Sequence, residues 1–211
     1  MNIWEFLKRH MQMYGDLPAF ATSEGNVVSY RQLIARVERR SAELAETIGP
    51  GRKVAVLYEH SMDQGIEMLA GIAAGLTVIP ITLHYSTSRC QWILRDSKPD
   101  ILLSDVMAPE LHNCARELGI PIGLNMVKRM KSDRDLCGQN FAFILYTSGT
   151  TGNPRGVLLT HENIVSNLAD IAKYFALTTQ DHITVVRPLS HASAITGEFL
   201  YALLTGCRIS F

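Results

Sequence analysis

Apolar residues recur at helical spacing through much of the chain. Between residues 30 and 48, Leu33, Ile34, Val37, Leu44, Ala45 and Ile48 fall on one stripe, which predicts an amphipathic helix. Ser29 and Gln32 form a capping-box pattern at its start, and Gly49–Pro50 stop it. A shorter helix is predicted over 3–13. KVAVLY (53–58) then reads as a buried-type strand. Ser61 opens a helix that ends at Gly75, and LTVIPI (76–81) is the next strand. A helix over 86–96, a strand at DILLS (100–104) and a helix over 109–118 follow. This alternation predicts a parallel sheet covered on both faces.

The second half starts after a loop or linker at 125–138. FAFILYT (141–147) is a strand, and a loop at 148–156 leads into the apolar run VLLT (157–160). Thr160 caps a helix expected to reach 176, with Ile164, Val165, Leu168, Ile171, Ala172 and Phe175 inward. HITVVR (182–187) and CRISF (207–211) are strands around a helix over 192–205. The expected fold class is α/β, with layered parallel-type sheets and helices on both faces. A β-α-β-α-β subdomain would span 1–124, 125–138 would be a linker, and a second sheet with the loop would begin over 139–211.

A chain of 211 residues allows one domain or two small ones. Charged residues make up 19%, below the roughly 25% of ordinary soluble domains. That share suits a well-packed interior or, our preferred expectation, a surface that further protein covers. Twenty basic residues balance twenty acidic ones, and no half of the chain is strongly basic, which sets nucleic acid aside. The densest basic stretch (Lys128, Arg129, Lys131, Arg134) is interrupted by Asp133 and Asp135 and reads as a solvated loop. Cys90, Cys114, Cys137 and Cys207 have no metal-ligand spacing. The N-terminal MNIWEFLKRHM lacks a secretory apolar core, and GIAAGLTVIPI is too short to span a bilayer, so a cytoplasmic protein without a transmembrane segment is expected. The last residue, Phe211, falls inside an apolar strand, a hint of truncation.

The chemistry concentrates in YTSGTTGNPRG (146–156). Glycines let a loop bring backbone N–H groups close to a ligand, and Thr and Ser add hydroxyls that can also contact a metal. The arginine adds a permanent charge with planar donors suited to phosphate. The order differs from a Walker loop, G-x-x-x-x-G-K-[ST], and the stretch opens into VLLT rather than into a helix. A phosphate would therefore be held by a loop between two extended segments. On composition alone, a Gly/Thr-rich surface turn with a stray arginine fits as well.

FAFILYTSGTTGNPRGVLLTH closely resembles the phosphate-loop signature of the adenylate-forming (AMP-binding) superfamily, which includes acyl- and aryl-CoA synthetases, peptide adenylation domains and luciferases. VSYRQL (28–33), MLAGIAAGLTVIPIT (68–82) and PLSHASAITGEFLYALLTG (188–206) resemble further family segments in the family's order. The resemblance implies the N-terminal portion of an ATP-dependent acyl-CoA synthetase-like ligase, in which two sheets pack against shared helices. Such an enzyme joins a carboxylate to AMP and passes the acyl group to CoA or a carrier pantetheine, with Mg²⁺ and the loop's cation neutralising the triphosphate. It also implies that Thr147, Ser148, Gly149, Thr150, Thr151 and Gly152 wrap the β- and γ-phosphates, and that Thr151 contacts the metal. Arg155 stands where the family usually has lysine, and His191 would sit near the carboxylate and α-phosphate.

Segments that resemble the family's aromatic-Gly-x-Thr-Glu element, its ribose-binding aspartate and its C-terminal domain with the catalytic lysine are absent from this sequence. The isolated chain is therefore expected to be inactive as a ligase and to bind ATP weakly. A missing C-terminal part or a separate partner chain, and self-association, are the expected partners. A fatty or aryl acid is favoured over an amino acid. A natural short non-catalytic nucleotide-binding relative, or one half of a split ligase, is the alternative. Other residues read as structural: Trp4, Phe6, Met11 and Met13 in a core-covering helix, Cys90 and Trp92 packing a helix, and His161 and Glu162 exposed in a first helical turn.

Overall fold

The local signals for helix starts are met. The computed structural model of the protein describes residues 2–21, 27–123, 140–147 and 153–211. Helix α1 (Ile3–Met11) begins where the Asn2 side chain accepts the Trp4 N–H, and it buries Ile3, Trp4, Leu7 and Met11. It ends two residues earlier than expected, which leaves Met13 exposed. Two short strands follow, β1 (Pro18–Ala21) and β2 (Val27–Ser29). Helix α2 (Tyr30–Thr47) carries the full capping box of Ser29 and Gln32.

Strand β3 (Lys53–Leu57), helix α3 (Met62–Ala73), strand β4 (Thr77–Ile81), helix α4 (Thr87–Ser97), strand β5 (Ile101–Ser104) and helix α5 (Pro109–Glu117) match the predicted series. The expected linker 125–138 lies outside the described residues. Strand β6 (Phe141–Thr147) and strand β7 (Arg155–Thr160) precede helix α6 (His161–Ile171), which Thr160 and Asn163 cap reciprocally. Helix α6 stops five residues short of 176. Its last turns tighten to Lys173 N–H on Asp170 and Tyr174 N–H on Ile171, and Ala172 and Phe175 are exposed rather than inward. Strand β8 is limited to His182–Thr184 and β9 to Arg208–Ser210. Between them, the expected helix begins as a π-helical segment, Ala194–Leu200, and continues as α7 (Tyr201–Thr205).

The strands sort into two sheets, ordered β5-β3-β4-β6-β7 and β2-β1-β9-β8. In the first, β3 pairs in parallel with β4 and β5, β4 in parallel with β6, and only β7 is antiparallel. The expectation that 139–211 begins a second sheet containing the loop is corrected here. Strands β6 and β7 extend the first sheet, while the N-terminal β1–β2 hairpin joins β8 and β9 in the second.

One apolar core joins a face of the first sheet (Val54, Val56, Val78, Phe143) through α1, α2, α3, α6 and α7 to the second sheet (Phe20, Val28, Ile209). A separate core packs α4 and α5 on the opposite face of the first sheet. The fold is thus α/β with mostly parallel sheets, and helices lie between the two sheets and outside the first.

Two sequence segments have clear packing roles. The Tyr30 hydroxyl, fully buried, donates to the Cys207 carbonyl at 2.6 Å and ties α2 to the start of β9. At Gly71 a Cβ would lie 2.9 Å from Val78 Cγ2, so glycine lets α3 approach the sheet.

Candidate functional site

Strands β6 and β7 run antiparallel with Thr147 opposite Arg155 and Tyr146 opposite Gly156. The loop therefore joins two extended segments, as its sequence context predicts, and does not cap a helix. Ser148, Gly149, Thr150, Thr151 and Gly152 lie outside the described residues, so their assigned phosphate contacts, and the metal role of Thr151, have no geometry here. The two flanking site residues do. Thr147 and Arg155 are both exposed, and Arg155 forms no ion pair among the described residues. An exposed guanidinium across from a threonine at the mouth of a Gly/Thr-rich loop suits an anionic ligand.

Helix α4 holds the flanks of this loop. The Arg89 guanidinium donates to the Tyr146 carbonyl at 3.2 Å, and the Trp92 indole N–H donates to the Pro154 carbonyl at 2.9 Å. The Tyr146 hydroxyl donates to Asp96 at 2.6 Å. Burial first, then the Asp96 carboxylate, pushes the Tyr146 hydroxyl well above its ordinary value, so it stays protonated and donates. The Tyr146 ring also lies over Gly156, where a Cβ would meet its Cζ at 3.1 Å. Cys90 packs inward as expected, and burial pushes its thiol up to about 11, which keeps it unreactive at neutral pH.

His191 is exposed, in a turn where its N–H donates to the Pro188 carbonyl and its carbonyl accepts the Ile195 N–H. Its ring stands edge-on to Tyr85, with centroids 6.2 Å apart. The Arg89 guanidinium sits over the other partner of that contact, 3.9 Å from the Tyr85 ring centroid. A continuous path therefore runs from the Tyr146 carbonyl through Arg89 and Tyr85 to His191. Sequence reasoning missed Tyr85, Arg89 and Asp96 and read Trp92 as packing alone. The available signal was the 89, 92, 96 spacing, which puts three polar-tipped side chains on one face of a predicted helix.

His161 was expected to be exposed and is instead buried, because its Nδ1 accepts the Ile3 N–H at 3.3 Å, an otherwise orphan donor in the first turn of α1. Burial lowers its pKa below the ordinary 6.5, so the ring is neutral. Glu162 is exposed, as expected.

Beside His191 an open groove of about 840 Å³ runs between α6 and the π-helical segment. Ile164, Ile171, Phe175, Leu177 and Ile183 make much of its wall, and Ala192 and Thr196 line it from the His191 side. The Arg187 guanidinium at its rim donates to Glu198 at 2.8 Å. For a hard cation such as Mg²⁺, which takes oxygen ligands, no group of three His, Cys, Asp or Glu residues comes together among the described residues. No helix among them is long and apolar enough to cross a membrane.

The model of the AMP-binding enzyme family matches residues 7–211, nearly the whole chain. The chain belongs to the AMP-binding enzyme family. Relatives of this family member include tyrocidine synthase 3 of Brevibacillus parabrevis, 30% identical over 193 residues that make up 88% of this chain and 3% of that protein. Surfactin synthase subunit 1 of Bacillus subtilis (strain 168) is 32% identical over 196 residues, 88% of this chain and 5% of that protein. Among solved structures, ATP-bound MatB from Rhodopseudomonas palustris superposes with a TM-score of 0.79 at 25% identity and covers 100% of this chain and 45% of its own. The inhibitor-bound N-terminal domain of FACL13 from Mycobacterium tuberculosis gives a TM-score of 0.82 at 23% identity, over 100% of this chain and 57% of its own, which shows the shared fold. The chain thus spans a small part of those curated relatives and about half of those solved chains.

Proposed function

We propose that this chain is the N-terminal part of a ligase that activates a carboxylic acid with ATP as acyl-AMP and passes it to a thiol, that of CoA or a carrier pantetheine. The observation that carries the reading is the β6–loop–β7 hairpin, which sets an exposed Arg155, without an ion pair among the described residues, opposite Thr147 in a chain whose family match runs nearly end to end. Adenylation brings a carboxylate against a polyphosphate, so its barrier is largely electrostatic and a preplaced cation lowers it. Arg155 supplies a planar fork where a lysine would supply a point charge. His191, next in sequence to the groove-lining Ala192, would contact the acid's carboxylate end.

A fatty or aryl acid is favoured over an amino acid. The groove wall is mainly apolar, and Glu198, an acid on that wall, is already engaged by Arg187. Mg²⁺ would contribute charge neutralisation of the triphosphate, with Thr151 as its proposed contact. A cytoplasmic location is part of the same proposal.

The test is ATP–pyrophosphate exchange together with ATP binding by equilibrium dialysis. The purified chain should bind ATP weakly, Arg155→Ala should abolish that binding, and exchange should be absent. ATP binding indifferent to Arg155→Ala would overturn the loop assignment, and robust exchange would overturn the claim that essential catalytic groups lie outside these residues. Adding a separately expressed C-terminal half of an adenylate-forming enzyme extends the test. Restored exchange that prefers fatty or aryl acids supports the acid class proposed, and preference for amino acids refutes it.

A further inference from the structure

We propose that α4 is a strut for the phosphate loop, with Trp92 and Arg89 as positioning residues that hold its two flanks in register. The proposal rests on the phosphate-binding reading of that loop and adds what places its cation. Arg155 is exposed and has no ion pair among the described residues, so no side-chain partner there fixes its position. What fixes the backbone on either side is pairing across β6–β7 and two bonds from α4. The carbonyls that α4 holds, of Tyr146 and Pro154, each belong to the residue just before a site residue, Thr147 and Arg155.

The helix is suited to this because it is anchored on its other face. Cys90, Ile93, Leu94 and Ser97 are buried against the first sheet, at the i, i+3, i+4, i+7 spacing of a helix seated in a core. Arg89, Trp92 and Asp96 then project along a neighbouring stripe, and all three bond within the two flanks. Arg89 also lies over Tyr85, against which His191 rests, so the same helix places the second site residue. Polyphosphate binding by a single exposed cation depends on holding that cation where the anion arrives, because any freedom must be frozen on binding.

The test uses the full 211-residue chain, with inorganic tripolyphosphate as the probe. Trp92→Phe keeps an aromatic ring at this position and removes the indole N–H with part of the ring. Arg89→Lys keeps the charge and loses the planar fork, which guards against a Trp92 variant that folds poorly. Loss of one such hydrogen bond should raise amide hydrogen exchange at residues 155–157 about fivefold and weaken tripolyphosphate binding by a similar factor. Amides of β3 and β4 should be unchanged. Unaltered exchange at 155–157 in both variants would overturn the strut. Faster exchange with unaltered tripolyphosphate affinity would overturn the positioning role and leave a structural tie. A wild-type chain that takes up no tripolyphosphate would defeat the phosphate-loop reading itself, and with it the binding half of this proposal, while the exchange data would still decide whether α4 holds the flanks.

Discussion

Replacing Arg40 with alanine should unmask a buried carboxylate. Glu67 lies on α3 beneath α2, with its side chain 11% exposed, and accepts the Arg40 guanidinium at 2.7 Å. Its second oxygen, Oε2, is buried with no hydrogen-bond partner among the described residues. Removing one member of a buried ion pair costs about 3–5 kcal/mol, because the remaining charge is left in a poor solvent. Arg40 is itself 23% exposed, so water can reach the vacated space, and the expected loss is about 2–3 kcal/mol at neutral pH.

The pH dependence has a definite sign. Burial pushes the Glu67 carboxyl above its ordinary 4.5, and Arg40 pulls it back down. The folded state therefore keeps this proton at a pH where the unfolded chain has released it. The corresponding stability is present below the ordinary value and is lost as pH rises through the raised folded one. Without Arg40 the folded value rises further, so the variant's deficit should grow from about pH 5 to about pH 8. Urea unfolding of wild type, Arg40→Ala, Glu67→Gln and the double variant at those two pH values reads this directly. The double variant should recover most of the loss. An equal deficit at both pH values, or a double variant no more stable than Arg40→Ala, would refute the reasoning.

Two further stability predictions follow from single sites. Gly65→Ala should destabilise by about 1–2 kcal/mol in urea unfolding, since overpacking against the pinned ring outweighs the helix-propensity gain. A Cβ there would lie 2.7 Å from Cζ of the fully buried Phe199. Gly197→Ala, with nothing within 4 Å of the added methyl, is the near-neutral control. His161→Gln should flatten the acid side of the stability profile. Burial holds His161 below the ordinary 6.5, so the wild-type chain loses stability as pH falls through 6.5 towards the lowered folded value, and an unchanged profile in the variant would contradict this.

Much of the element series was legible because its signals are local. The Ser29/Gln32 box, the Ser61 cap and the Thr160 cap each involve a side chain and an amide three residues on, and all three occur as expected. The Gly/Thr-rich stretch that resembles the family signature was legible for the same reason, as one contiguous run. Errors gathered where a partner lies far away in the chain. Strands β1 and β2 have four and three residues, too short for a periodic signal; they pair with each other, and β1 joins β9, far along the chain, only through Phe20 opposite Ile209. His161 follows a helix cap, where exposure is the ordinary outcome, yet it is buried by α1, whose Ile3 lies 158 residues earlier.

The sequence alone therefore determined the alternation of helices and strands, the capped starts of three helices, and the loop sequence that marks the family. Tertiary structure decided which strands share a sheet, and it put the facing ends of β6 and β7 beside α4 rather than in a sheet of their own. It also made Trp92, read from the sequence as helix packing, and Arg89 and Tyr85, which the sequence reading passed over, neighbours of the site. The physical reason is that capping and periodicity are energies of neighbours a few residues apart. Strand pairing and side-chain contacts between elements are chosen by what each surface buries against when the whole chain is folded.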